Sequence, residues 1–201
     1  MKSQFKRGQY TLSRDQSLNI INSTKSFRDR VILKFLYFAG LRAFEVINLK
    51  IEDIDIYSKV INVYGKGQKV RTVPFIDSGF YSDVKFYISD KKPGKLFSIS
   101  KRQAQWVCQN AGARAGIPNP NPLLKHINAH LFRHSIARQL KSDGYPAEFI
   151  QNFLGHSSIE TTMDTYGTLN LHEMQKMILS RTGDNLIMPT LKYTQPELIS
   201  H

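Results

Sequence analysis

Thiol chemistry is nearly absent from this chain: Cys108 is its single cysteine, so no disulfide can close within it. That usage fits a reducing cytoplasm and not a secreted scaffold. No stretch of roughly 18 apolar residues occurs, which excludes a membrane-spanning helix. The opening MKSQFKRGQYTLS is basic but has no apolar core, so it does not read as a secretion signal. Internal repeats and low-complexity tracts are missing as well. Negative charge is the last shortage: 16 Asp and Glu stand against 28 Lys and Arg, a formal net charge of +12. A balance that basic points to a polyanionic partner, nucleic acid or an acidic membrane surface, against the bland alternative of a solvated basic surface. Apolar material for a core is present. At 201 residues and 41% hydrophobic, the chain supports one domain, or one domain plus a tail.

Helix signals recur in series. Ser13 with Gln16 makes a capping box ahead of Leu18 and Ile21. Ser26 precedes FRDRVILKFLYFAG, where Val31, Ile32, Phe35 and Phe38 recur at helical spacing until Gly40 stops the helix. LRAFEVINL reads as a short helix directly after that break. Two β-rich runs follow, Val60 to Tyr64 and Val70 to Phe75, joined by a glycine-flanked turn, so one antiparallel hairpin is predicted. Phe80, Val84 and Tyr87 mark another helix, and Ser100 with Gln103 caps KRQAQWVCQNAGARAG. The proline-rich IPNPNPLLKHIN is a loop. Helices are then predicted over HLFRHSIARQLKSDG and PAEFIQNFLG, the second with Pro146 in its first turn and Gly155 at its end. Ser157 and Glu160 form a further capping box, which puts Tyr166 at the end of a short helix. The expected fold is mainly α with a small antiparallel β-sheet or hairpin. Past about residue 170 an amphipathic helix with Met174, Met177 and Ile178 leads into a proline-broken tail too short to fold alone.

Certain polar residues fall at breaks in this pattern. Arg42 follows the stop at Gly40, and Lys66 lies between Gly65 and Gly67 in the hairpin turn. His130 and Arg133 are three apart and so share a helix face. His156 follows a helix end, and LGHSSIETTMDTYG closes on Tyr166. Groups at such places are held by the scaffold without being buried. Together they suit phosphoryl transfer at a DNA phosphodiester. Guanidinium forks bind the nonbridging oxygens and stay charged, a histidine accepts the phenol's proton, and a mobile lysine protonates the leaving oxygen. Two arginines and a second imidazole stabilise the transition state without a metal, and the tyrosine stores the bond energy covalently without ATP.

The stretches AGLRAFEVINLKIEDID, GKGQKVRTVPF, HLFRHSIARQL and LGHSSIETTMDTYG resemble the catalytic domain of the tyrosine site-specific recombinases, the integrase family that includes Xer and phage integrases. The resemblance implies a DNA breaking-rejoining catalytic fold over residues 1–170, with 171–201 as a C-terminal helix and tail for subunit contacts. It implies that Arg42 and Arg133 clamp the scissile phosphate, with His156 donating to it. His130 would be acid/base for the nucleophile Tyr166, and Lys66 the acid for the leaving oxygen. Glu45 matches the acidic residue after the first arginine, in a supporting role. Lys69 and Arg71 are expected as generic phosphate contacts. Lys101, Arg102 and Gln103 lie in SKRQAQW, which resembles the family helix that enters the major groove; Trp106 by itself would be read as core. The implied partners are double-stranded DNA with specific recombination sites and a homo-tetramer on synapsed DNA, monomeric in solution, with accessory proteins allowed. No cofactor is implied, and the expected location is the cytoplasm, on the nucleoid.

Departures and alternatives remain. Thr168 stands where family members often carry a histidine. The chain begins almost at the catalytic domain, without the usual N-terminal DNA clamp, as in the short fimbrial-switch invertases or in a fragment. A type IB topoisomerase uses similar chemistry but typically has lysine at the place of His130. A catalytically silent DNA-binding accessory protein is the non-enzymatic alternative. His126, His130 and His134, spaced by four, also raise a zinc face, against which the loop before His130 keeps His126 off the helix; His134 is expected to pack behind Arg133.

Overall fold

The computed structural model describes residues 10–65 and 70–155, together with two helical positions, Gln175 and Ile178. Seven helices are described: α1 (Arg14–Asn22), α2 (Phe27–Phe38), α3 (Ala43–Asn48), α4 (Ser78–Ile88), α5 (Lys101–Arg114), α6 (Ala129–Ser142) and α7 (Ala147–Leu154). The strands β1 (Ile54–Asp55), β2 (Val60–Tyr64) and β3 (Val70–Pro74) form one antiparallel sheet in the order β1-β2-β3.

Local chemistry sets most boundaries. The boxes at Ser13 and Gln16, and at Ser100 and Gln103, close reciprocally between side chain and backbone. Ser26 accepts the Asp29 amide at the start of α2. Pro146 stands at the N-cap of α7, one place before its expected turn. The sheet has one strand more than the predicted hairpin. Two residues are too few to show alternation, and β1 exists because Ile54 and Asp55 pair with Ile61 and Val60. The Asp55 carboxylate accepts the Ser58 amide at 2.8 Å, and Lys59 takes a positive φ of 54°, which turns the chain back into β2. β3 ends at Pro74, yet Phe75 still donates to the Lys59 carbonyl at 3.1 Å.

α2 lies at the centre. Helices α1, α3, α4, α5 and α6 all pack on it, so Val31, Ile32, Leu33, Phe35 and Leu36 are fully buried instead of forming one stripe. Phe80 of α4 sits edge-on to Phe35 at 5.0 Å and against Phe75 at 4.9 Å, which fastens helices to sheet. Ile178 belongs to this core and Gln175 is buried; Met174, Met177 and the tail from Leu186 lie outside the described residues. Among the described residues no helix is long and apolar enough to cross a membrane.

The end of α2 meets the end of α7 at Gly40. Its φ is +59°, and a Cβ there would lie 2.6 Å from Leu154 Cδ2. Gly40→Ala therefore imposes left-handed strain and displaces Leu154. We expect it to lower unfolding stability by about 1–3 kcal/mol in urea titrations, with an unchanged denaturant slope. A wild-type midpoint would mean that the contact between helix ends carries no constraint.

Candidate active site

The break at Gly40 places Arg42 at the N-cap of α3 with extended backbone. Glu45, one turn on, reaches back: its Oε2 accepts the Arg42 amide at 2.8 Å and its Oε1 accepts Arg42 Nη1 at 3.1 Å. R-x-x-E spacing across a helix start thus orients the arginine through both backbone and side chain. The Arg42 side chain stays 43% exposed while Glu45 is only 4% exposed. A second cation meets the same carboxylate from β3. Arg71 donates from Nη1 to Oε1 at 2.7 Å and from Nη2 to Oε2 at 2.9 Å, a parallel fork. Burial by itself would raise the Glu45 pKa. The Arg71 hydrogen bonds and charge, the Arg42 amide and the Arg133 charge outweigh it and hold the carboxyl below its ordinary value.

Arg133 corrects one expectation. The pattern suggested groups held at helix ends without burial, but Arg133 lies inside α6 and is only 2% exposed. Its Nη1 donates to the Gly40 carbonyl, and its Nη2 donates to the Leu154 carbonyl at 2.5 Å. Both acceptors stand at helix C-terminal ends, where unpaired carbonyls concentrate negative potential. Burial first, then repulsion from Arg42 and Arg71, brings the Arg133 pKa down to about 9, partly countered by Glu45. The group is still cationic at neutral pH. Three guanidiniums near one carboxylate leave two surplus positive charges, with Arg42 half-exposed and Arg71 and Arg133 largely buried, a setting suited to an anion.

His130 starts α6 on the exposed side, whereas Arg133 one turn later is buried, so their shared face runs from solvent into the core. Its ring meets that of His134 edge-to-face at 4.3 Å. Burial, then His130 and Arg133, lowers the His134 pKa, which favours a neutral imidazole packed beside Arg133. His126 lies in the loop before α6, exposed, its carbonyl accepting from Asn119 at 2.7 Å. Among the described residues no group of three His, Cys, Asp or Glu side chains is arranged to hold a metal.

Lys66, Lys69, His156 and Tyr166 lie outside the described residues; the strands flanking Lys66 and the Gly155 that precedes His156 are within them. Lys101, Arg102 and Gln103 are exposed on the first turn of α5, a helix that packs on α3, and the Gln103 side chain accepts the Ser100 amide at 2.8 Å. Trp106 is 57% exposed, so its reading as core is overturned. Arg71 is displaced from its expected place as a surface phosphate contact. Its side chain is 13% exposed and bound to Glu45, with Nε donating to the Phe153 carbonyl at 3.2 Å. That role went unseen, although a signal exists: Arg71 shares a strand face with Val73 and Phe75, both buried.

Residues 11–173 match the phage integrase family. The tyrosine recombinase XerC of Staphylococcus aureus (strain bovine RF122 / ET3-1) is 32% identical over 174 residues, which is 79% of this chain and 55% of that protein. The chain thus spans about half the length of the curated relatives it matches. The crystal structure of XerA recombinase superposes with a TM-score of 0.66 at 28% identity, over 85% of this chain and 64% of that one. The lambda integrase catalytic core has the same fold, with a TM-score of 0.59 at 16% identity, over 77% of this chain and 95% of its own. By sequence and by its helical body with one small antiparallel sheet, this chain belongs to the phage integrase family.

Proposed function

We propose that this chain carries the catalytic domain of a site-specific DNA recombinase, acting in integration, excision or inversion of a mobile element. The observation that supports it most is that Arg42, tethered to Glu45 at the break after α2, and Arg133, tied to two helix-end carbonyls from inside α6, feel each other's charge beside a single carboxylate that Arg71 already neutralises. A phosphodiester supplies the missing negative charge. Its trigonal-bipyramidal transition state carries more charge on the nonbridging oxygens than the ground state, so the pair stabilises the transition state preferentially.

The Tyr166 phenol attacks phosphorus and gives its proton to His130. The new bond is a 3′-phosphotyrosyl ester, and the phosphorus–O5′ bond breaks. Lys66 protonates the departing oxygen, while His156 donates to a nonbridging oxygen. The 5′-hydroxyl of a partner strand then reverses the step, and two such exchanges pass through a Holliday junction. Four protomers firing in pairs are needed, so the partners are two DNA sites and three further copies, assembled from monomers on DNA, with room for accessory proteins. Residues 171–201 would serve contacts between subunits. The net charge of +12 and the exposed Lys101, Arg102 and Trp106 on α5 support a DNA-facing surface, to which Lys69 and Gln103 would add contacts. The work would be done on the nucleoid, in the cytoplasm.

Tyr166→Phe is expected to bind target DNA nearly normally yet form no covalent adduct on a nicked suicide substrate, measured by denaturing gel. An adduct formed by the phenylalanine variant would move the nucleophile elsewhere. Lys66→Ala should cleave poorly, and a substrate with sulfur at the 5′ bridging position, whose leaving group needs no proton, should restore it. Lack of rescue would remove the acid role from Lys66. Wild-type cleavage should persist in a metal chelator; its loss there would point to a metal.

A further inference from the structure

Three of the five N–H donors on the Arg71 guanidinium are engaged inside the protein, two by Glu45 and one by the Phe153 carbonyl. The side chain lies across the end of α7, where Gly155 closes the helix with a φ of +65°. A Cβ on Gly155 would stand 2.6 Å from Arg71 Cδ and 3.1 Å from both Nε and Nη1. That turn has room for Arg71 only because the residue there is glycine. At its other end Arg71 sits on β3 opposite Val63 of β2, in the two strands that lead into and out of the segment carrying Lys66.

We propose that Arg71 is a positioning residue of the active site, a brace that sets Arg42, the strands β2 and β3 that flank Lys66 and the chain leading to His156 in one frame. It acts on Arg42 through Glu45, whose two oxygens it fixes while they hold the Arg42 amide and Nη1. It acts on the approach to His156 through the Phe153 carbonyl and the fit against Gly155. Arginine is required because one planar group must fork a carboxylate and reach a carbonyl at the same time. A lysine carries the charge but not that geometry. This inference rests on the recombinase reading for its catalytic consequence; the brace itself rests on the geometry.

The test uses the full chain and a nicked suicide substrate that traps the covalent adduct. Wild type, Arg71→Gln, Arg71→Lys, Glu45→Gln and the double variant Glu45→Gln/Arg71→Gln are compared for single-turnover cleavage and for DNA affinity against salt. A displaced clamp of about 1 Å costs on the order of 100-fold in rate, so both Arg71 variants should slow by roughly that factor. A surface phosphate contact would instead lower the slope of log affinity against log salt by about 0.9; the brace leaves that slope unchanged. The double variant should be no slower than Arg71→Gln alone, because both changes break one unit.

The pH profile adds a readout that scaffolding alone does not move. Arg71 supplies the first causes opposing the burial of Glu45; with it gone, burial raises the Glu45 pKa, while the Arg42 amide and Arg133 remain. Cleavage by Arg71→Gln should therefore fail at a higher pH than wild type as the solution is acidified. Wild-type rates in Arg71→Gln, additive losses in the double variant, or a reduced salt slope would each overturn the proposal. If Arg71→Gln does not fold, Arg71→Lys carries the test; failure of both to fold would also overturn it, the role then being stability. A wild-type protein that forms no adduct defeats the recombinase reading alone. The Glu45–Arg71 coupling is then measured by urea unfolding of the same proteins against pH, and its absence there sinks the brace.

Discussion

A carboxylate with almost no access to water must be neutralised where it stands, and Glu45 is neutralised by arginines from two different elements. Arg42 comes from its own helix start and Arg71 from β3, while Arg133 adds its field from α6. The geometry of the arginine cluster follows from that constraint. If Glu45 were free to rotate, Arg42 would lose both its backbone and its side-chain tether, and nothing else described would hold its guanidinium. Because an unpaired buried charge is far costlier than a paired one, the cluster forms as a unit or not at all.

The same constraint explains why glycines occupy the two helix ends beside the cluster. Arg133 takes the carbonyls of Gly40 and Leu154, so α2 and α7 must end within reach of one guanidinium. A side chain at Gly40 would press on Leu154, and one at Gly155 would press on Arg71. Both helices stop through a left-handed residue, which aims their last carbonyls inward. The strongly basic exterior is a separate matter. Its interactions fade with salt, whereas the buried Glu45–Arg71 pair is shielded from screening ions.

Most of the fold was legible because its signals are local. Ser13, Ser26 and Ser100 cap the helices they precede, and Gly40 and Gly155 end the helices they follow, over spans of a few residues. β1 was missed because two residues carry no periodicity, and its pairing with β2 depends on a turn at Lys59 that needs an unusual φ. At the site, Arg42, His130 and Arg133 were singled out by type and position in the pattern, and Glu45 by the family resemblance. Their depths were not, since H-x-x-R says nothing of whether α6 turns Arg133 toward solvent or toward two carbonyls. The fork from Arg71 to Glu45 joins residues 26 positions apart, a contact that only the packed fold creates. Even so, alternation along Arg71, Val73 and Phe75 was readable as an inward-facing cation.

In the proposed reaction Arg42 and Arg133 act on the nonbridging charge of a scissile phosphodiester. Replacing that phosphate with a neutral methylphosphonate in the suicide substrate removes the charge and leaves the leaving group intact. Single-turnover cleavage by wild type, Arg42→Ala and Arg133→Ala is then compared on the two substrates. If the guanidiniums serve that charge, each substitution slows cleavage of the phosphodiester by orders of magnitude and costs far less on the methylphosphonate. An equal loss on both substrates would contradict the claim.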